Sequence, residues 1–215
     1  MMKIIKLVGV LRIYSLADLI LLLLAAGATG VKLVGAICLW IGFLAYLESA
    51  HAHDYRINIP KSLACAIFPL GLLLFPIIEG AIFIASSMLY AKKNRHFWGL
   101  ASPIFRGLQT VVLIAALTGL RDGLPWLAGI LIMVRNLLGD LRDVEEDRRQ
   151  GMITWPIKFL LPQQRYLHLL MVLGTTALWW LFLELSIFWL ASLWLAEVGT
   201  YFLTPRSSNH WGFKK

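Results

Sequence analysis

Long apolar runs separated by short polar connections recur along the whole chain. Several of the runs approach the roughly 20 residues that an α-helix needs to cross the hydrocarbon of a bilayer. Gly, Pro and charged residues mark their ends. The pattern predicts eight helices, near residues 12–30, 33–52, 62–78, 79–91, 102–120, 124–142, 163–183 and 185–203. The region 62–91 is predicted to be either a kinked pair of helices or one long broken helix.

The composition places this pattern in a membrane. Of the 215 residues, 59% are hydrophobic and only 15% are charged, whereas charged residues make up about a quarter of a soluble domain. We therefore predict one all-α integral membrane domain over residues 1–215, a bundle of about eight transmembrane helices. A cleaved signal peptide is the alternative for the first run, but the spans that follow at once favour a first transmembrane helix.

The formal charge of +8 has a topological explanation. If the N-terminus is cytoplasmic, all Lys and Arg residues except Lys32 and Arg121 fall on inner segments or inner helix ends, as the positive-inside rule requires. This predicts an even number of spans in the cytoplasmic membrane, with both termini inside, and it explains the charge without nucleic acid. The polar connections 52–61, 92–101 and 142–162 would then share the cytoplasmic face, where we expect the active site.

The connection after the sixth predicted helix carries the clearest chemistry. Asp140, Asp143 and Asp147 are spaced at i, i+3 and i+7, so they would share one face if the helix continued through them. Carboxylate oxygens suit Mg²⁺, which is commonly shared between protein carboxylates and substrate phosphates. Arg142 and Arg148 could donate to phosphate oxygens that the metal leaves uncovered. The segment therefore predicts a site for Mg²⁺ and a phosphate.

The same segment reads DxxDxxxDxxxGxxTxP, with Gly151, Thr154 and Pro156 as its last three anchors. It resembles the second aspartate-rich motif of the UbiA superfamily of intramembrane prenyltransferases. That resemblance implies an all-helical membrane enzyme that ionises a polyprenyl diphosphate with Mg²⁺ and joins the allylic cation to a hydrophobic, often aromatic, acceptor. It implies catalytic and metal-binding roles for the three aspartates. Gly151 and Pro156 are suited to ending the helix and turning the chain back toward the membrane.

Two further segments extend the resemblance. Tyr90, Lys92 and Lys93 look like the family's tyrosine-and-lysine segment, which implies contact with the diphosphate, and Arg106 in the next helix is similar to it too. Ordinary anchoring at the membrane interface is the alternative for these residues.

The family's first motif corresponds to residues 51–60, where only one aspartate stands. The resemblance implies that Asp54 is a catalytic metal ligand and that Asn58 contacts the diphosphate. Glu48 would either line the cavity or extend to the interface. His51 and His53 do not share a helix face, which argues against zinc.

Prenyl transfer is the leading functional hypothesis. A divergent, non-catalytic UbiA homologue that binds an isoprenoid or pigment lipid, or serves as a subunit of a membrane complex, is the alternative. It is supported by the reduced first motif and by eight predicted helices where the family usually has nine. A phosphotransferase of the CDP-alcohol type is disfavoured, because Val144 and Glu145 follow Asp143 where that family has Gly.

Overall fold

The computed structural model describes residues 12–50, 59–94 and 98–204, and all regular structure in those ranges is helical. The α-helices are α1 (Ile13–Ala25), α2 (Gly30–Ala50), α3 (Lys61–Leu74), α4 (Ile77–Tyr90), α5 (Trp98–Thr118), α6 (Gly123–Arg142), α7 (Val144–Arg149), α8 (Trp155–Lys158), α9 (Tyr166–Phe182) and α10 (Ile187–Leu203). A 3₁₀ helix over Ala91–Asn94 follows α4 directly.

Each of the eight predicted segments overlaps one of the eight longer helices, so the all-α prediction is confirmed. The start of α5 at Trp98 is earlier than the predicted 102, and the helix continues through Pro103. Proline has no N–H for the carbonyl four residues before it. The Ser102 hydroxyl donates to that carbonyl, on Gly99, at 2.9 Å, which replaces part of the lost bonding.

The region 62–91 forms two helices, as one of the two alternatives predicted. Phe75 separates α3 from α4 in an extended conformation, with φ −134° and ψ 155°. Pro76 explains the break, because a residue that precedes proline is disfavoured in the helical region.

The helices differ in whether they are long enough to cross a membrane. By length and composition, α2, α5 and α6 could each span one, whereas α1, α3, α9 and α10 are apolar but shorter. Helices of 13 to 17 residues extend only about 20–26 Å. Helix length in the described residues therefore supports three full spans and not the eight expected from the sequence.

Six helices pack in a closed ring. Each helix of the ring packs against the next in the order α1, α2, α4, α5, α6 and α9, and α9 packs against α1. Outside this ring, α3 packs along α2, and α10 packs against α1 and α9. The contact between α2 and α3 depends on Gly35, where an added Cβ would lie 2.7 Å from the backbone of Leu74. The ring matters for function because all six of its helices line one cavity.

Candidate functional site

The aspartate-rich segment does not form one continuous helix. α6 ends at Arg142, Asp143 stands at the junction, and α7 begins at Val144. The backbone N–H of Asp143 still bonds to the carbonyls of Gly139 and Asp140, at 3.1 and 3.2 Å, so the bend is tight. The expectation that all three aspartates lie on one helix face is therefore corrected, because the helix axis changes at the second of them.

Gly151 ends α7, as the sequence predicts. It adopts φ +68°, a left-handed conformation that favours glycine. Its N–H bonds to the Arg148 carbonyl at 3.1 Å, and the Met152 N–H bonds to the Asp147 carbonyl at 2.9 Å. This pair of bonds is a Schellman motif. Pro156 lies in the first turn of α8, so the chain reverses within a few residues and holds α7 beside the cavity.

Asp140 and Asp147 come together on Lys93. The Lys93 ammonium lies 2.5 Å from Asp140 Oδ1 and 3.6 Å from Asp147 Oδ2. Both aspartates are buried, and Oδ2 of each has no hydrogen-bond partner among the described residues. An unpaired, buried carboxylate oxygen is costly unless a cation or a proton approaches it. The first and last anchors of the segment are thus positioned for a shared cation.

The charges in this cluster act on one another. Burial, with a smaller contribution from the neighbouring carboxylates, raises the pKa of the Asp147 carboxyl to about 6 despite the opposing effect of Lys93. Burial alone would lower the pKa of Lys93, but Asp140 and Asp147 reverse this, so that its pKa is raised. Lys93 is therefore protonated at neutral pH, whereas the Asp147 carboxyl gains or loses its proton near pH 6.

Asp143 has a different partner. Its two carboxylate oxygens accept hydrogen bonds from Arg142, one of them from Nε at 2.7 Å. Arg142 Nη1 also lies 3.3 Å from His168 Nδ1, which ties this pair to α9. Asp143 faces the cavity as well, but its charge is already balanced by a bidentate guanidinium.

The other predicted contacts with a diphosphate divide into two groups. Tyr90, Lys93 and Arg142 line the cavity, and the Tyr90 hydroxyl donates to Asn136 Oδ1 at 3.0 Å. Lys92 and Arg148 are exposed and do not line it. The predicted residues of the first motif, Asp54 and Asn58, lie outside the described residues, as do His51 and His53.

The cavity that these residues share has a volume of about 150 Å³. Every helix of the ring contributes to its wall, through Tyr14 (α1), Phe43 (α2), Tyr90 (α4), Arg106 (α5), Asp140 (α6) and His168 (α9). Arg12 and Arg135 also line it and were not assigned to the site from the sequence. Arg12 pairs with Glu48 at 3.0 Å, and Arg135 pairs with Asp18. Glu48 is therefore buried behind the cavity wall and does not reach an interface.

Arg106 stands apart from the other guanidinium groups. Its Cζ lies 4.3 Å from the ring centre of Trp40 and 4.7 Å from that of Phe43. Nη1 donates to Gln109 Oε1 at 2.5 Å. No carboxylate of the described residues forms an ion pair with it. Stacking on aromatic faces holds the guanidinium in place, and no carboxylate among the described residues neutralises its charge.

One signal in the sequence points to the residues that were missed. Asp18 and Arg135 lie inside apolar runs, and ionisable residues at such positions are candidates for functional sites by default. Their pairing across α1 and α6 has no local signature, because it depends on how the ring closes.

The donor set fits a metal that is shared with a phosphate. Among the described residues no group of three His, Cys, Asp or Glu side chains is placed to hold a metal ion. Two carboxylates, those of Asp140 and Asp147, do converge. Mg²⁺ is commonly bound by one or two carboxylates together with substrate phosphates, and seldom by an all-protein cage. The two aspartates could therefore hold Mg²⁺ once a phosphate supplies the remaining oxygens.

Comparison with known proteins adds no relative. No protein-family model, no curated protein and no solved structure matches the chain.

Proposed function

We propose that the protein is an integral membrane enzyme that uses Mg²⁺ to transfer a polyprenyl group from a prenyl diphosphate to a hydrophobic acceptor. The observation that carries this proposal is the convergence of Asp140 and Asp147 on Lys93, in a buried cavity lined by further guanidinium groups. Carboxylates for a metal beside cations for phosphate oxygens are what a metal-bound diphosphate requires. The resemblance of the segment to the UbiA motif supplies the reaction class.

Five charged residues of the cavity have a role in this reaction. Asp140 and Asp147 would hold Mg²⁺, which neutralises diphosphate charge when bound. Lys93 and Arg106 offer cationic donors to phosphate oxygens, and Arg142 lies beside them. When the allylic C–O bond breaks, its electron pair moves to the diphosphate, and these cations stabilise the charge that develops there. The allylic cation then bonds to the acceptor, which loses a proton.

The surroundings of the cavity support a lipid-like donor in a membrane. Phe43, Leu44, Leu47 and Ile132 give the cavity an apolar side on which the start of a prenyl tail would lie. We place the protein as a multi-pass protein of the cytoplasmic membrane, with both termini and the site on the cytoplasmic side, because of its Lys and Arg distribution. Its partners are then prenyl diphosphate, the acceptor and membrane lipids, with no nucleic acid.

The test measures the affinity of the purified protein for a labelled prenyl diphosphate as Mg²⁺ is varied. Asp140→Asn and Asp147→Asn should each strongly reduce the gain in affinity that Mg²⁺ gives, because each removes one of the two carboxylates that would hold the metal. Asp143→Asn should lower the gain less, since Arg142 already balances Asp143. Glu145→Gln, on the exposed side of α7, is the matched control and should behave as the parent.

Asp54 gives a further comparison in the same assay. We expect Asp54→Asn to lower donor affinity but to leave it dependent on Mg²⁺, since residues 51–60 offer a single carboxylate. If Mg²⁺ still raised donor affinity fully in both Asp140→Asn and Asp147→Asn, the proposed metal site would be wrong.

One observation favours the second candidate, a non-catalytic homologue that binds an isoprenoid or pigment lipid. Arg142 pairs with Asp143, and Lys93 lies near the other two aspartates, so each aspartate of the segment already has a cation beside it. Such a protein would bind isoprenoid lipids with the same affinity with or without Mg²⁺. The titration above separates the two functions.

A further inference from the structure

Lys93 occupies the place where a cation between Asp140 and Asp147 belongs. Its ammonium is 2.5 Å from one carboxylate and 3.6 Å from the other, and the exposed fractions of the three side chains are 13%, 3% and 4%. Lys93 thus provides the counter-charge that the two buried carboxylates need while no ligand is present.

A metal ion alone would meet an obstacle in this arrangement. Mg²⁺ gives up its water reluctantly, and it would have to displace an ammonium that already lies against Asp140. The displaced ammonium would then be a buried cation without a counter-charge, which is strongly unfavourable. The other carboxylates that line the cavity already have cationic partners, since Asp143 pairs with Arg142 and Glu146 lies 3.6 Å from Arg149.

A diphosphate removes that obstacle. Its anionic oxygens can accept the displaced ammonium, and the flexible four-carbon stem of lysine lets Nζ move from a carboxylate to a phosphate without a change in the backbone. Asp140 and Asp147 would then hold the metal, and the phosphate oxygens would supply the counter-charge of Lys93.

We propose that Lys93 is the resident counter-cation of Asp140 and Asp147, and that the divalent metal therefore enters this site only together with a diphosphate. Lys93 positions the two carboxylates before the ligand binds, and it contacts a phosphate afterwards. The inference rests on the proposed function, and it adds to it the species that is bound, a metal–diphosphate complex.

The experiment is equilibrium dialysis of the detergent-purified full chain against Mn²⁺, a stand-in for Mg²⁺, with and without inorganic diphosphate. The parent should retain Mn²⁺ only when diphosphate is present. Lys93→Met should retain Mn²⁺ alone, about tenfold or more tightly than the parent, because the competing buried cation is gone. Adding Asp140→Asn to Lys93→Met should remove that gain, which locates the metal.

Lys158→Met is the matched control, since Lys158 is exposed and stacks on Trp155 as an ordinary surface lysine does. It should behave as the parent. If Lys93→Met is not monodisperse, Lys93→Gln replaces it, because Gln also removes the charge but keeps a polar end. The parent comparison with and without diphosphate needs no variant.

Two results would overturn this inference but leave the proposed function unaffected. One is a parent that binds Mn²⁺ as tightly without diphosphate as with it. The other is a parent with diphosphate-dependent binding but no gain in Lys93→Met or Lys93→Gln. Failure of every variant to retain Mn²⁺ in either condition would instead overturn the proposed function, and this inference with it.

Discussion

Folding disfavours the charged form of the Asp147 carboxyl. Its exposed fraction is 3%, and burial raises its pKa from 3.8 to about 6. A carboxyl whose pKa is raised by folding stabilises the protein below its unfolded pKa, and that contribution is lost as the pH rises through the folded pKa. In the ligand-free protein the cost of the Asp147 charge should therefore develop between about pH 4 and pH 6.

This gives a prediction for Asp147→Asn. The variant should melt at a higher temperature than the parent at about pH 8, and the difference should shrink as the pH falls below about 6, because the parent carboxyl then becomes neutral as well. Thermal melts of the ligand-free protein across this range measure it. Glu145→Gln, in the same helix but exposed, should show no such dependence. If the difference in melting temperature between Asp147→Asn and the parent did not change with pH, the charge on Asp147 would not destabilise the folded protein.

At the scale of single residues, the sequence predicts best what is decided locally. Gly151 ends α7 because its left-handed conformation depends only on the bonds of its own turn. The aromatic stacking of Arg106 could not be predicted in this way, since Trp40 and Phe43 come from another helix. Lys92 and Lys93 are neighbours in the sequence, yet only Lys93 faces the cavity, and that choice depends on the 3₁₀ turn after α4.

The helices α2 and α3 pack closely enough to leave no room for a side chain at Gly35. A Cβ added to Gly35 would lie 2.7 Å from the Leu74 backbone, which no side-chain rotation can relieve. Gly35→Ala should therefore destabilise the protein by about 1–3 kcal/mol, as overpacking of a close contact does. Denaturation in detergent, followed by helical circular dichroism, measures this.

Gly174 in α9 is the control for that prediction. No atom lies within 4 Å of a Cβ added there, and alanine is the better helix former. Gly174→Ala should leave stability unchanged or slightly raised. Equal losses of stability in the two variants would contradict the packing that the structure shows between α2 and α3.

The positions of the eight longer helices follow from apolar runs and from Pro and Gly, and the structure has a helix in each predicted segment. Their lengths do not follow, because the ends are set by single residues such as Gly27 after α1, with φ +75°. The bend at Asp143 also escapes prediction, since the spacing of the aspartates is equally compatible with a straight helix.

For the whole molecule, the two ends of α6 predict which residues are accessible from each side of the membrane. Its C-terminal end carries Asp140, and its N-terminal end follows Leu120, so Leu120 lies at the opposite end of this helix from the site. In a protein without native cysteines, Lys92→Cys and Arg149→Cys should react with an impermeant thiol reagent from the cytoplasmic side, and Leu120→Cys from the other side. Labelling of residues 92 and 149 on opposite faces would separate the two segments that we place in one site.

Closure of the ring is the feature that a single sequence could not supply. It brings Arg12 and Arg135 to the cavity, and it pairs them with Glu48 and Asp18 from helices that are distant along the chain. The guanidinium groups that line the cavity with the aspartates are thus a property of the assembled bundle.

Prenyl transfer itself is tested by an assay of turnover. The purified protein is incubated with Mg²⁺, labelled prenyl diphosphates of several lengths and a membrane lipid extract, and both released diphosphate and prenylated product are measured. We expect Mg²⁺-dependent product with at least one donor length, and none with Asp147→Asn. Donor that remains intact at every length, in a preparation of the parent that is folded and monodisperse, would contradict the proposed function.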